Sequence, residues 1–185
     1  NLIGDHNIRN TTASIAVALN LGVKIIKIKK ALKKFLGIQR RFTKVFSIGK
    51  REFYDDYAHH PTEIKAVINS VRQVYKDRKI ICVFQPHRYS RIKLLAKEFA
   101  SSFKSIDVVI LCPLYAAGEK KRHNYNHYNF SNLIAKKSKT QVININSKND
   151  LKNYLNKNLF NNEMVICMGA GSISNWIREI GSELK

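Results

Sequence analysis

The sequence predicts an α/β protein, a doubly wound and mainly parallel sheet preceded by a short helical segment. Three observations predict it. From about residue 42 onward, short β-rich runs alternate with amphipathic helical stretches, the pattern of repeated strand–crossover–strand units. The runs KIICVF, DVVILC and MVICMG are almost continuously apolar, as strands covered on both faces are. Ahead of residue 42 the chain reads as helix alone.

The elements follow in order. Residues 11–21 (TTASIAVALNL) place threonines near a helix start and small apolar residues on one face. Residues 24–36 form a second helix, strongly basic outside and ended by Gly37. Such a pair cannot bury a core by itself and is expected to pack on protein upstream of Asn1. Strands are predicted at 43–48, 52–56, 79–85, 106–111, 141–145 and 163–167. Helices are predicted at 61–76, 89–103, 128–138, 148–157 and 173–184. Pro61 suits a first helical turn, where a missing N–H has no intrahelical partner anyway. The stretch 115–128 (YAAGEKKRHNYNHY) has no period and reads as a long loop at a strand's C-terminal end.

Composition narrows the class. The chain has 185 residues and is 44% hydrophobic, enough for one full domain with a core, or a domain plus part of another. It starts at Asn1 in what reads as the middle of something longer, so a fragment is expected. No apolar run reaches the roughly 18–20 residues that span a bilayer, and no signal-peptide pattern opens the chain. The formal net charge is +20, which favours anionic ligands and raises the alternative of a basic nucleic-acid-binding module. The lysines are spread over several predicted helices, and Lys, Asn and Ile are abundant throughout; a compositional bias accounts for that spread better than a nucleic-acid site does. Cys82, Cys112 and Cys167 lie in or beside apolar runs and form no CxxC pair. They read as buried reduced thiols of a cytoplasmic protein, and no metal site is expected.

The polar residues collect at strand ends. In open α/β sheets ligands bind outside the carboxyl ends of the strands, and DDYAHHP, QPHRYSR, PLYAAGE and GAGSIS all follow predicted strands. In DDYAHHPTE a carboxylate of Asp55 or Asp56 can accept from a ribose diol, and His59 can hydrogen-bond a substrate. In QPHRYSR, Arg88 and Arg91 are three apart at a helix opening and are expected to share one face beside His87. Their guanidinium groups, with the free N–H groups of the helix start, suit a carboxylate or phosphate. GAGSIS has two glycines of a dinucleotide fingerprint but not the third, and reads as a tight strand-to-helix turn. In GDHNIRN, Asn7 and Asn10 precede the first helix as placed above; they can pair with an adenine edge, or cap the helix, which spacing alone favours. In RRF, Arg41 stands at the hinge between the helical segment and the sheet. No GxxxxGK[ST] phosphate loop occurs in the chain.

Taken in this order, GDHNIRNTTASIAVAL, GIQRRF, DDYAHHPTE, FQPHRYSR, LYAAGE and GAGSIS resemble the successive motifs of the Mur ligases, ATP-dependent amide-bond-forming enzymes of peptidoglycan synthesis. DDYAHHPTE is shared with the murein peptide-recycling branch, whereas PHRYSR and YAAGE point to the branch that adds L-alanine. The resemblance implies that residues 1–40 end a central ATPase domain and that residues 41–185 form a C-terminal Rossmann-like domain. It implies ATP, Mg2+, UDP-N-acetylmuramate and L-alanine as cofactors and substrates, with the phosphate loop and main metal ligands upstream. Asn7 and Asn10 match adenine-contacting asparagines, Arg41 a hinge arginine near the phosphates, and Asp56 a ribose-binding aspartate. Tyr57, His59, Arg88 and Arg91 match the part that receives the amino acid and the acyl phosphate. Asp5, and the absence of a glycine at the end of GAGSIS, depart from the common pattern.

Overall fold

The computed structural model describes residues 4–35, 37–120 and 125–184, without the side chains of Asp5 and His6. The 121–124 part of the expected loop, the end of the expected second helix at Leu36 and the departure at Asp5 therefore lie outside the described residues or side chains. Helices α1 (Asp5–Asn20) and α2 (Ile25–Lys34) come first, followed by the antiparallel hairpin β1 (Thr43–Ile48) and β2 (Arg51–Asp56). Then come α3 (Pro61–Val74), β3 (Ile80–Phe84), α4 (Tyr89–Ala100), β4 (Val108–Leu111), α5 (His127–Ser138), β5 (Gln141–Asn144), α6 (Lys148–Asn158), β6 (Met164–Met168) and α7 (Ile173–Glu183).

The six strands form one sheet in the order β1-β2-β6-β3-β4-β5, parallel throughout except for the β1–β2 hairpin. The expected architecture and all six expected strands are present. Strand alternation divides the core into two layers. Ile80, Cys82 and Phe84 face a cluster with Ile64, Ile68 and Val71 of α3, Phe99 of α4 and Ile134 of α5. Ile81 and Val83 face the other side, against Leu151 and Leu155 of α6 and Ile173, Ile177 and Ile180 of α7. Helices thus cover both faces, which is why the central strands contain no polar alternation. The three cysteines are buried and free.

Local sequence fixes the helix starts. His60 and Glu63 make a reciprocal capping box ahead of Pro61, and Asn126 and Ser147 cap α5 and α6 through their side chains. Glycine matters most in α7: a Cβ on Gly181 would come within 2.4 Å of the Phe46 ring. The first helix differs from expectation. It begins at Asp5, with Gly4 at the cap position and no side-chain cap bond. Asn7 and Asn10 therefore lie inside α1, one turn apart, and do not cap it. No described helix is long and apolar enough to cross a membrane.

Candidate functional site

The four motif corners converge because β2, β6, β3 and β4 are neighbours in the sheet and run in one direction. Their carboxyl ends therefore open side by side. Backbone bonds tie the corners together: Gly169 N–H donates to Asp56 O at 3.2 Å, Gln85 N–H to Met168 O at 3.0 Å, and Arg88 N–H to Tyr115 O at 2.9 Å.

The hinge and the β2 corner form one unit. The Asp56 carboxylate accepts from Phe42 N–H and from Ala58 N–H, each at 2.7 Å, so it pins the hinge to the strand end. Burial raises its pKa to about 6, against the opposing pull of those two N–H groups and of Arg41. Arg40 (φ 60°) and Phe42 (φ 48°) flank Arg41 in the left-handed region, a backbone cost that tertiary contacts must offset. Those contacts are present. The Arg40 guanidinium donates to Gly169 O at 2.7 Å and lies 4.6 Å from the Tyr57 ring centre. Tyr57 N–H donates to Arg40 O. Asn10, Arg41, Asp56, Tyr57, Thr62 and Glu63 line a cavity of about 250 Å³ here. Asn7 is not part of its lining.

A string of rings leads from this cavity to the arginine corner. Tyr57 meets His59 edge-on at 5.1 Å between centroids, and His59 meets His87 edge-on at 5.8 Å. His59 Nδ1 is 2.9 Å from Tyr57 O. His87 in turn stacks on Tyr115 at 5.6 Å, and its Nδ1 lies 3.1 Å from Arg91 Nη1. The acid–histidine corner and the arginine corner thus touch side by side at one carboxyl edge of the sheet.

Two details at the arginine corner correct the sequence reading. Arg88 is not in the helix: it is the cap residue of α4, with φ 67°. The helical i,i+3 spacing therefore does not relate it to Arg91. The N-terminus of α4 is also not open to an anion, because Glu119 accepts from Ser90 N–H at 3.0 Å and from the Ser90 hydroxyl. What this corner offers a ligand is its guanidinium groups, not its helix end. Among the described residues no group of three or more His, Cys, Asp or Glu is placed to hold a metal ion.

Sequence reasoning assigned no role to Gln85, Glu119 or Arg40. Gln85 is buried; its Oε1 accepts from Ile173 N–H at 3.0 Å and its Nε2 donates to the Ser172 hydroxyl at 3.0 Å, so it caps α7 from the neighbouring strand. A lone polar residue closing an apolar strand run was the available signal. GAGSIS is a tight turn: a Cβ on Gly171 would lie 2.5 Å from Gln85 Oε1 and 2.6 Å from the Tyr115 ring. This is the tight strand-to-helix turn the sequence predicts, and the glycine lets Tyr115 close over it.

Fold and site define a Rossmann-like α/β domain with a cavity of mixed polar and apolar lining and an arginine corner at one carboxyl edge. The profile of the Mur ligase, glutamate ligase domain, matches residues 40–171. The UDP-N-acetylmuramate–L-alanine ligase of Pelagibacter ubique is 51% identical over 97% of the chain, which covers 39% of that protein. The same-named ligase of Brachyspira hyodysenteriae is 40% identical over 100% of the chain and 39% of its own length. The crystal structure of the Thermotoga maritima UDP-N-acetylmuramate-alanine ligase MurC superposes with a TM-score of 0.80 at 25% identity, over 99% of this chain and 38% of that one. The chain belongs to the Mur ligase family, and it spans about two fifths of the length of the curated relatives it matches.

Proposed function

We propose that the chain is the C-terminal part of an ATP-dependent ligase that joins L-alanine to UDP-N-acetylmuramate in peptidoglycan synthesis. Residues 1–40 are then the end of the central ATPase domain and residues 41–185 the C-terminal domain. One observation carries the reading: Tyr57, which lines the cavity with Asn10, Arg41 and Asp56, is linked by ring contacts through His59 to His87 and so to Arg91. A nucleotide site and an amino-acid site that share a sheet edge suit a reaction in which a phosphorylated carboxylate meets an amine.

The residues fit ATP as a substrate. The Asn10 amide can pair with a donor–acceptor edge of adenine. Each Asp56 oxygen accepts one backbone N–H and keeps a further lone pair for a ribose hydroxyl. Arg41, held between two left-handed residues, is directed to the phosphates. Asn7, one turn from Asn10 but outside the cavity lining, is assigned to the same adenine from the family resemblance alone. ATP supplies the phosphoryl group that turns the muramate carboxylate into an acyl phosphate. Mg2+ is assigned to ligands in the rest of the protein.

On the other side of the site Arg88 and Arg91 hold the alanine carboxylate. Tyr57 and His59 face the reacting end and orient the amine and the acyl phosphate. The amine attacks the acyl carbon, the C–N bond forms and phosphate leaves. These residues act by positioning and by stabilising charge.

The test is an assay of the full-length protein with UDP-N-acetylmuramate, ATP and a panel of amino acids. Alanine-dependent release of ADP and phosphate is expected. Preference for a peptide substrate moves the protein to the recycling branch, and no ligation of any amine sinks the reading. Arg88→Ala is expected to raise KM for alanine or to lower kcat sharply. The 185-residue chain alone is expected to show no ATP hydrolysis.

A further inference from the structure

His87 sits between the acid–histidine and arginine corners, in contact with side chains from three segments. On α4, Arg91 Nη1 lies 3.1 Å from its Nδ1. From the β2–α3 corner comes the His59 ring, edge-on at 5.8 Å. From the β4–α5 loop comes Tyr115, stacked at 5.6 Å with planes 17° apart and joined to His87 by an isolated parallel bridge. Among the described residues, Arg88 and Glu119 are the remaining charged groups close enough to influence it.

Chemistry fixes the direction of the His87–Arg91 bond. A guanidinium carries only donors. Nδ1 must therefore be the acceptor, and the ring must be neutral with its proton on Nε2. A ring protonated at both nitrogens presents Nδ1–H to Nη–H and repels the guanidinium. Stacking on Tyr115 and the backbone bridge keep the imidazole from turning away. Arg91 is thus anchored by a neighbour four residues earlier, across the left-handed Arg88 rather than along a helix.

We propose that His87, as its Nε2–H tautomer, is the positioning residue that aims the Arg91 guanidinium at the carboxylate of the amino-acid substrate, and that protonation of His87 releases Arg91. The inference rests on the ligase reading above. Burial, followed by Arg91, His59 and Arg88, pushes the His87 pKa below its ordinary value, while Glu119 pulls it up. The ring therefore stays neutral at physiological pH, and Arg91 is released only as pH falls below the ordinary histidine range. The affected quantity is affinity for the amino acid, not for the nucleotide.

Two substitutions in the full-length ligase test this. His87→Ala removes the acceptor; a charge-assisted bond is lost, and KM for alanine is expected to rise about ten- to a hundredfold with kcat changed far less. His87→Asn places an amide oxygen near the Nδ1 position and cannot be protonated there. It is expected to restore most of the lost affinity and to remove the part of the acid-side rise in KM that wild type shows. An unchanged KM in His87→Ala, or equal losses in both variants, overturns the proposal. A second readout needs no ligase activity. In 15N-histidine spectra of the full-length protein, His87 is expected as the Nε2–H tautomer, and Arg91→Ala is expected to move its titration up toward ordinary histidine. A proton on Nδ1, or a titration indifferent to Arg91→Ala, also overturns it. If the ligase reading alone is wrong, wild type makes no alanine adduct while the spectra still behave as described.

Discussion

The helical pair α1–α2 and the α/β body differ sharply in what they bury. In the body, central residues such as Phe84, Phe99 and Ile166 are wholly inaccessible. In the pair, Ile28 of α2 is the one buried residue among those described, while Leu21 is 77% and Ile26 69% exposed. Both regions have the apolar patterning of folded protein. Patterning directs a face inward, but only a second layer removes it from water. The pair's apolar face is of the kind that a further protein layer covers. The pair still contributes to the site, because Asn10 lines the cavity with Arg41 and Asp56.

Four perturbations sharpen or break this contrast, and the largest is expected in the body. Phe99→Ala empties a fully buried site between α4, the sheet and α5 and is expected to cost about 3–5 kcal/mol in urea unfolding. Next comes Asp56. Its folded pKa of about 6 lies above the unfolded value near 3.8, so the folded state binds the proton more tightly. The stability this contributes is complete below about pH 4 and is lost as pH rises through about 6. Asp56→Asn removes that dependence. The stability difference between the two proteins should therefore change across this window, by at most about 1.4 kcal/mol per pH unit. A difference that does not vary with pH contradicts the buried carboxylate described above.

Gly181→Ala drives a methyl group into the Phe46 ring and is expected to cost about 1–3 kcal/mol, read from the unfolding midpoint. The smallest effect belongs to the pair: Ile26→Ala on exposed α2 is expected to change stability by about 0.5 kcal/mol or less. A loss comparable to that of Phe99→Ala breaks the comparison.

The sequence made the body legible because its signals are local. Apolar runs of strand length and Pro61 at a helix start each act within a few residues. The convergence of the corners was also readable, since it follows from parallel strands and their carboxyl ends. What could not be read depends on distant partners. Glu119 fills the α4 terminus from 29 residues away, and Gln85 caps α7 from 88 residues away. The left-handed Arg88 has no sequence signature, because arginine has no preference for that conformation; the fold imposes it. The start of α1 was misplaced because Gly4 provides no side-chain cap, leaving Asn7 and Asn10 as the apparent caps. Once α1 starts at Asp5, Asn10 falls on the cavity and Asn7 does not.

On the proposed function, the nucleotide and the amino acid are bound by separate groups of residues at the same sheet edge. Steady-state kinetics of Arg91→Ala and Asn10→Ala in the full-length protein tests it directly. Arg91→Ala is expected to raise KM for alanine at least about tenfold with KM for ATP unchanged, and Asn10→Ala is expected to do the reverse. If both variants shift both constants together, or neither shifts any, the division of the site is contradicted.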